Sequence, residues 1–536
     1  MDRKEVTTIL DNLKPAIDAV VDDNVKMIIK ALISIIHNQQ EVIEAQQKTI
    51  EQQQRKIQQQ QQTIEQQQKT IETQHVLIKE QRKEIQDLKE KLGTNSSNSS
   101  KPPSGDSFKP NDDEDNKNKK GQKNKRKRGG QPGHAGVTRS LLPTEEVDHV
   151  EQHQPPEHCD CGGAIKSDQY YQRHQVYELP DVKMVVTEYQ LFCGCCAQCG
   201  KEHRAELPDY VPTGILGPYL LAFIATLTSD YKMSKRDVAR FLMDLYEFSI
   251  CIATVKRAEE TVSEALIVPV EEANIYLKQE SIVNCDETSH AECGKKMWAW
   301  VAIANTVAVF MIAASRSKKA AMALLGETFN GILGSDRYRA YAWVPAHRRQ
   351  VCWAHLKRDF KKISEREGSS RRLGVCLLGY TRRLFHAWHQ FGDGIITREE
   401  FKKIMGPIRL KVERLLIFGT QLEHSKTQGT CLEMLKLKEA LWTFVETANV
   451  EPTNNLAERV LRKIVIWRKV CFGTWSVNGT LYLERVMTVV ATCRLQERSV
   501  FGFLRDAMIA HLHKTPAPSL LPQSILADDI SLLVAA

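Results

Sequence analysis

Apolar residues fall on three different periods along this chain, and each period marks a different kind of element. From Ile29 to Leu92 one apolar residue recurs every seven: Ile at 29, 36, 43, 50, 57, 64, 71, 78 and 85, then Leu92. Gln stands three residues after each Ile from Ile43 to Ile78 (Gln46, Gln53, Gln60, Gln67, Gln74 and Gln81). A sustained sevenfold repeat predicts a long helix that supercoils with copies of itself, held by an isoleucine seam and weakened by amides at the other core position. The number of strands in the coil is left open by this pattern.

Helical periods return at 215–265. Ser234 is placed to cap a helix over Lys235–Leu245, and a break at Glu247-Phe248-Ser249 leads to a second over Ile252–Ala265. Two helices about a tight turn suit a helix-turn-helix that would offer Thr254, Lys256 and Arg257 to a major groove. From residue 281 the period becomes that of strands. Ser281–Ser289, Met297–Ala304 and Val307–Ala314 form three runs, the last two joined at Asn305-Thr306. A helix over Lys318–Leu325, a strand over Gly331–Tyr338 and a fifth strand over Gln350–His355 follow, the last running into a basic helix over Leu356–Ile363. Three strands, a helix, a strand and a strand make the core order of a ribonuclease-H-like α/β sheet.

Composition adds compartments and partners. The 536 residues allow about three or four domains. No secretory signal opens the chain, and the most apolar segment, Ala299–Ala314, is too short to cross a bilayer. A soluble cytoplasmic, nucleoid-associated protein without a membrane partner is expected. Net charge is +8, from 74 basic against 66 acidic residues, and the excess is concentrated. In 117–128 eight of twelve residues are Lys or Arg, ending in Lys125, Arg126, Lys127 and Arg128. That run follows a stretch rich in Ser, Asn and Pro, so 93–140 is expected to be a disordered linker. It either solubilises the chain or attracts DNA phosphates without reading sequence.

Reduced cysteines in clusters are metal ligands more often than disulfides. Cys196 and Cys199, followed by Gly200, have the spacing of a zinc knuckle. The other knuckle is irregular, with His158, Cys159 and Cys161 as candidates. One structural Zn²⁺ on Cys161, Cys196, Cys199 and either His158 or Cys159 is expected, with Gln175–Leu179 and Met184–Phe192 as ribbon strands.

Two of the later strands end in aspartates, Asp286 and Asp336. The first and fourth strands of such a sheet are adjacent, so the two carboxylates would repel unless a divalent cation neutralised them. Two ions about 3.5–4 Å apart would stabilise the entering and leaving oxygens of a phosphoryl displacement. A third acid should come from a helix. Glu458 follows Thr453 and Asn454, either of which can cap, and shares a face with Asn455, Arg459 and Arg462. The same spacing also allows Glu458 to be a plain surface partner of Arg462. Lys357 and Arg358, beside His355, are candidate phosphate contacts.

The motifs Ser-Ser-Asn-Ser-Ser-Lys-Pro-Pro-Ser (96–104), Gly-Gly-Gln-Pro-Gly-His (129–134), Asp-Glu-Thr, Asp-x-Tyr, Cys352-Trp-Ala-His355-Leu-Lys-Arg358 and Asn-Asn-x-Ala-Glu-Arg (454–459) stand in one order. That order resembles the large transposase of insertion-sequence family 66. The resemblance implies a DDE reaction on element ends and target DNA with two Mg²⁺ (or Mn²⁺) per site, in which Asp286, Asp336 and Glu458 are the catalytic acids. It also implies help from small accessory proteins of the same element. The expected organisation is a homo-oligomeric coiled coil (1–92), the linker (93–140), a zinc-ribbon-like module (141–210) and a helical DNA-binding region (211–275). A catalytic domain (276–510) with a helical insertion at about 364–450 follows, and then a tail (511–536). An oligomeric DNA-binding protein without catalysis, and a nuclease that cuts without joining, are the alternatives.

Overall fold

The computed structural model describes residues 3–92, 94–95, 98, 139–166 and 172–522. The basic run with Lys125, Arg126, Lys127 and Arg128, and the motif at 129–134, lie outside the described residues. The chain divides into two units, Met1–Thr94 and Asn95–Ala536.

The first unit is helical. After α1 (Arg3–Asp18), the heptad region forms one uninterrupted helix of 70 residues, α2 (Asp23–Leu92). Its seam is a continuous stripe in which each Ile from Ile43 to Ile85 is 46–56% exposed. An isolated helix gains little from such a stripe, so its stability has to come from packing that stripe on other apolar surface.

In the second unit the cysteine region differs from expectation. Its ladder is two short antiparallel strands, β1 (Cys193–Cys195) and β2 (Glu202–Arg204), and the expected strands at Gln175–Leu179 and Met184–Phe192 form no ladder. Val176, Leu179, Val185, Val186 and Phe192 are exposed there, on both faces of the pattern. Without a covered face a period of two does not make a sheet.

Four helices follow: α3 (Pro218–Ser229), α4 (Lys235–Tyr246), α5 (Ile252–Ala265) and α6 (Ile267–Gln279). Ser234 caps α4 by accepting the Asp237 N–H at 3.2 Å, and Glu247 ends it in a left-handed turn at φ 50°. Val255, Ala258 and Val262 of α5 belong to the same core as the sheet, so this helix pair is built into the domain.

The sheet has five strands: β3 (Ile282–Glu292), β4 (Lys295–Ala304), β5 (Val307–Ala313), β6 (Ile332–Ser335) and β7 (Arg349–Val351). Helix α7 (Lys318–Leu325) lies between β5 and β6 in the chain. The spatial order is β5-β4-β3-β6-β7, antiparallel through β5, β4 and β3 and parallel through β3, β6 and β7. The two expected later strands are shorter than their apolar runs. Asp336 lies just past β6, and β7 stops at Val351 because the Trp353 N–H turns to the Pro452 carbonyl at 2.9 Å. Helix α8 (Trp353–Ser364) therefore begins three residues earlier than expected, with His355 in its first turn.

Six more helices of the second half are α9 (Gly368–Gly392), α10 (Arg398–Gly419), α11 (Ser425–Lys436), α12 (Thr443–Glu446), α13 (Asn455–Cys471) and α14 (Val477–Leu495), and α15 (Val500–His513) closes the fold. Helices α8 to α12 enclose a core of their own around Trp353, Phe360, Phe401 and Trp442. The chain stays packed beyond α15, where Leu520 and Leu521 are buried, so the expected tail begins inside the fold.

Alternation splits the sheet residues between two cores. Trp300, Ala302 and Val309 face the helices before the sheet, whereas Ala299, Val301, Phe310 and Ile312 face α13 and α14. Along the edge strand β5, α14 supplies side-chain acceptors in place of another strand. Thr492 accepts the Ala308 N–H (3.1 Å), Thr488 the Phe310 N–H (3.0 Å) and Glu484 the Ile312 N–H.

Burial pushes the Glu484 carboxyl up to about 7 from an ordinary 4.5. A carboxyl raised by folding favours the folded chain fully below its unfolded value and loses that contribution as pH climbs through the folded one. Glu484 should therefore cost stability between about pH 4.5 and about pH 7, by roughly 2–3 kcal/mol. Glu484→Gln keeps an acceptor and no charge. Its unfolding free energy, measured at about pH 5 and about pH 8 by urea titration, should differ less than that of the parent chain. An equal pH dependence in both chains would show that the carboxyl titrates normally.

Candidate active site

Register and alternation bring the two aspartates together. β3 and β6 run parallel with Ile282, Val283 and Asn284 beside Ile332, Leu333 and Gly334. Two residues further along each chain are Asp286 and Asp336, so they share both level and face. Asp286 is paired with Val301 across β4, which fixes that face as the one covered by α13. Glu458, in the first turn of α13, comes down on the same side. All three acids line one cleft of about 820 Å³.

Asn454 joins α13 to the sheet. It stands at the position before the helix, but its side chain makes no cap, contrary to the expectation for Thr453 or Asn454. Its Nδ2 instead donates to the Cys285 carbonyl at 2.8 Å, and its backbone N–H donates to Cys352 Sγ at 3.2 Å. One buried side chain thus ties the start of the Glu458 helix to the strand that carries Asp286.

The electrostatics are those of crowded acids. Burial, and then the carboxylates of Glu287, Asp336 and Glu458, push the Asp286 carboxyl well above the usual carboxylate range. The Glu458 carboxylate is shared among three neighbours. Its Oε1 lies 3.4 Å from His355 Nδ1 and 4.0 Å from Cys352 Sγ, and its Oε2 lies 3.5 Å from Arg358. Arg462 lines the cleft but is not the ion-pair partner of Glu458.

Glu287 and Arg316 were not expected from the sequence. Glu287 points to the opposite face from Asp286, where its side chain is fully buried and accepts from the Tyr341 hydroxyl and from Arg316 Nε at 2.6 Å. Burial and Asp336 raise its carboxyl, against the pull of Tyr341 and Arg316. The Arg316 guanidinium lies over the Tyr338 ring at 3.7 Å and the Trp298 ring at 5.2 Å, and reaches 3.9 Å from Asp336. The only local signal for this group was the Glu directly after Asp286.

The other expected contacts divide. Arg358 and Arg462 line the cleft together with Lys469, whereas Lys357 and Arg459 are exposed outside it. Lys256 and Arg257 are exposed on α5, and Lys256 pairs with Glu260 at 3.1 Å. In the cysteine region each loop turns on a left-handed glycine, Gly162 (φ 86°) and Gly200 (φ 70°). The Gly200 N–H donates to the Cys196 carbonyl at 2.8 Å, and the Gly162 N–H to the Cys159 carbonyl at 2.8 Å. Among the described residues, His158, Cys159 and Cys161 do not meet Cys196 and Cys199 in one ligand group. Each loop thus has a knuckle turn, but the structure does not assemble the four-ligand set.

Comparison with known proteins bears on the same region. The model of the Transposase IS66 family matches residues 213–481, which contain all three acids. A family of unknown function matches residues 51–140. Three relatives come from Sinorhizobium fredii (strain NBRC 101917 / NGR234), each described as an uncharacterized protein. y4hP is 24% identical over 416 residues, 69% of this chain and 73% of its own length. y4jD is 22% identical over 225 residues, 39% of this chain, and y4qI 25% over 220 residues, 38% of this chain. The matches span 43% of y4jD and 40% of y4qI.

Proposed function

This chain belongs to the Transposase IS66 family, and on that premise we propose that it is a DDE-type transposase with Asp286, Asp336 and Glu458 as its metal-binding acids. It binds the ends of its insertion sequence, cuts the strands there and joins them to target DNA. The observation that carries this reading is the convergence of acids from β3, the end of β6 and α13 in one cleft. The sheet order and the acids' places in it support a ribonuclease-H-like catalytic domain.

The donor set fits a hard divalent cation. Three carboxylates share the cleft, and burial and mutual repulsion already raise Asp286. When bound, Mg²⁺ (or Mn²⁺) would neutralise these acids and polarise the scissile phosphate.

The chain's own residues do the rest. Arg358, Arg462 and Lys469 hold the DNA backbone along the cleft. His355 and Arg358 orient Glu458 from its two sides. Arg316, braced by Glu287 and two rings, keeps positive charge beside Asp336 before the site is loaded. Water first attacks the phosphorus at the element end and displaces the strand's 3′-oxygen, which leaves as a 3′-hydroxyl; that hydroxyl then attacks a phosphorus of target DNA and displaces the target strand's own 3′-oxygen. Both are in-line displacements, so no Ser or Tyr nucleophile is required.

The basic linker and α5 add DNA contacts, and α2 assembles copies of the chain so that two ends are held together. A chain lacking residues 23–92 should sediment as a monomer, and the intact chain as an oligomer; equal sedimentation would rule out the coil as the assembly element. The central test is strand transfer by the purified full chain with Mg²⁺, labelled element ends and the element's accessory proteins. Joined products are expected. End binding without cutting or joining would reduce the protein to a DNA-binding scaffold.

A further inference from the structure

We propose that Cys352, His355 and Glu458 form a second cation site, one suited to a transition metal such as zinc. It uses the acid that the reading above assigns to the catalytic centre and rests on that reading for its consequence, though not for its existence.

The site is made at the meeting of two helix starts. Cys352 precedes α8 and His355 is three residues on, so both side chains leave on one face of its first turn. Glu458 arrives from the first turn of α13. One ligand atom from each of the three lies within 4.8 Å of the other two, and this is the one such group among the described residues. Tetrahedral zinc, with bonds of about 2.0–2.3 Å, sets its ligand atoms about 3.3–3.6 Å apart. His355 Nδ1 and Glu458 Oε1 already stand at 3.4 Å, and Cys352 Sγ at 4.0 Å from the same oxygen.

A second observation points to a ligand. His355 Nδ1 is buried with no hydrogen-bond partner, although it faces the carboxylate. A buried ring nitrogen left without a partner is costly, and a shared cation would satisfy it. The Asn454 N–H donates to the Cys352 sulfur at 3.2 Å and so holds that sulfur in place beside Glu458 and His355. Sulfur and imidazole select softer ions than the all-oxygen set of Asp286 and Asp336. The two sites therefore differ in the ions they prefer while sharing Glu458, and His355 and Glu458 both line the cleft, which leaves the fourth position open to water. A zinc ion bound here would withhold Glu458 from the catalytic ions and act as an inhibitor.

The test uses the full chain stripped of bound metal, with cobalt(II) alone as the probe. Cobalt bound through Cys352 gives a thiolate-to-metal charge-transfer band in the near ultraviolet. The part of that band due to this site should vanish in Cys352→Ser. His355→Gln should weaken the corresponding cobalt affinity at least about tenfold. A band of unchanged intensity in Cys352→Ser, or unchanged affinity in His355→Gln, would overturn the proposal. No DNA is present, so the spectrum is independent of strand transfer. A chain that binds cobalt in this way but never joins DNA would sink the transposase reading and leave this site standing.

Discussion

Asp286→Ala is expected to abolish cutting and joining at element ends, by roughly 10³-fold or more, while end binding persists. A metal acting on a phosphoryl group is worth several kcal/mol of transition-state stabilisation, and each 1.4 kcal/mol, about, is a factor of ten. Asp286 sits on the central strand, close enough to Asp336 and Glu458 that both raise its carboxyl, so its loss removes one of the three acids that would hold the ions. The same substitution should not harm folding. In the metal-free chain burial and three neighbouring carboxylates disfavour its charge, so the raised carboxyl costs stability as pH rises toward neutrality. Alanine removes that cost. The metal-free variant should therefore melt no lower than the parent at neutral pH, by calorimetry, while strand-transfer gels show no product. Product at parental levels would remove Asp286 from the mechanism, and a collapsed melting temperature would make the loss one of folding.

Asn454→Ala should reduce strand transfer roughly 100-fold, although Asn454 touches no reacting group. Its Nδ2 holds the Cys285 carbonyl, one residue before Asp286, and Glu458 begins one turn after it. Losing that bond leaves a buried carbonyl without this donor, at about 1–3 kcal/mol, and frees the start of α13 to shift against β3. A displacement of about 1 Å at a catalytic group costs on the order of 10²-fold in rate. The measurement is strand transfer at saturating DNA, set beside end-binding affinity and urea unfolding. A fall in rate with unchanged affinity at a temperature where the variant is fully folded supports the positioning role. A rate that falls only with the folded fraction would make Asn454 a stability residue.

Much of this arrangement is legible in the residues alone. The sevenfold isoleucine repeat specifies one long helix, because only a helix keeps such residues in a single stripe. The strands β3 to β5 and helix α7 follow from local periods and the turn at Asn305-Thr306, and the bounds expected for α7 match those found. Asp286 and Asp336 could be read because parallel neighbours with equal register put their ends side by side. Glu458 was legible as a helix-borne acid beside basic residues, but its neighbours were not. Spacing along α13 pointed to Arg462, whereas packing of α8 against α13 presented His355 and Arg358.

What tertiary structure alone decided are the contacts between residues far apart in the chain. Asn454 bridges to Cys285 across 169 residues, and α14 covers β5 across more than 170. The cysteine region makes the same point from the other side: an alternating pattern needs a second surface before it becomes a sheet, and there Val185 and Val186 remain exposed. A period along the chain records which face of an element is apolar. It holds no record of which other element will cover that face, and the local chemistry of Glu458, Glu287 and Asn454 depends on that partner, because desolvation and charge act only over the distance to the next packed side chain.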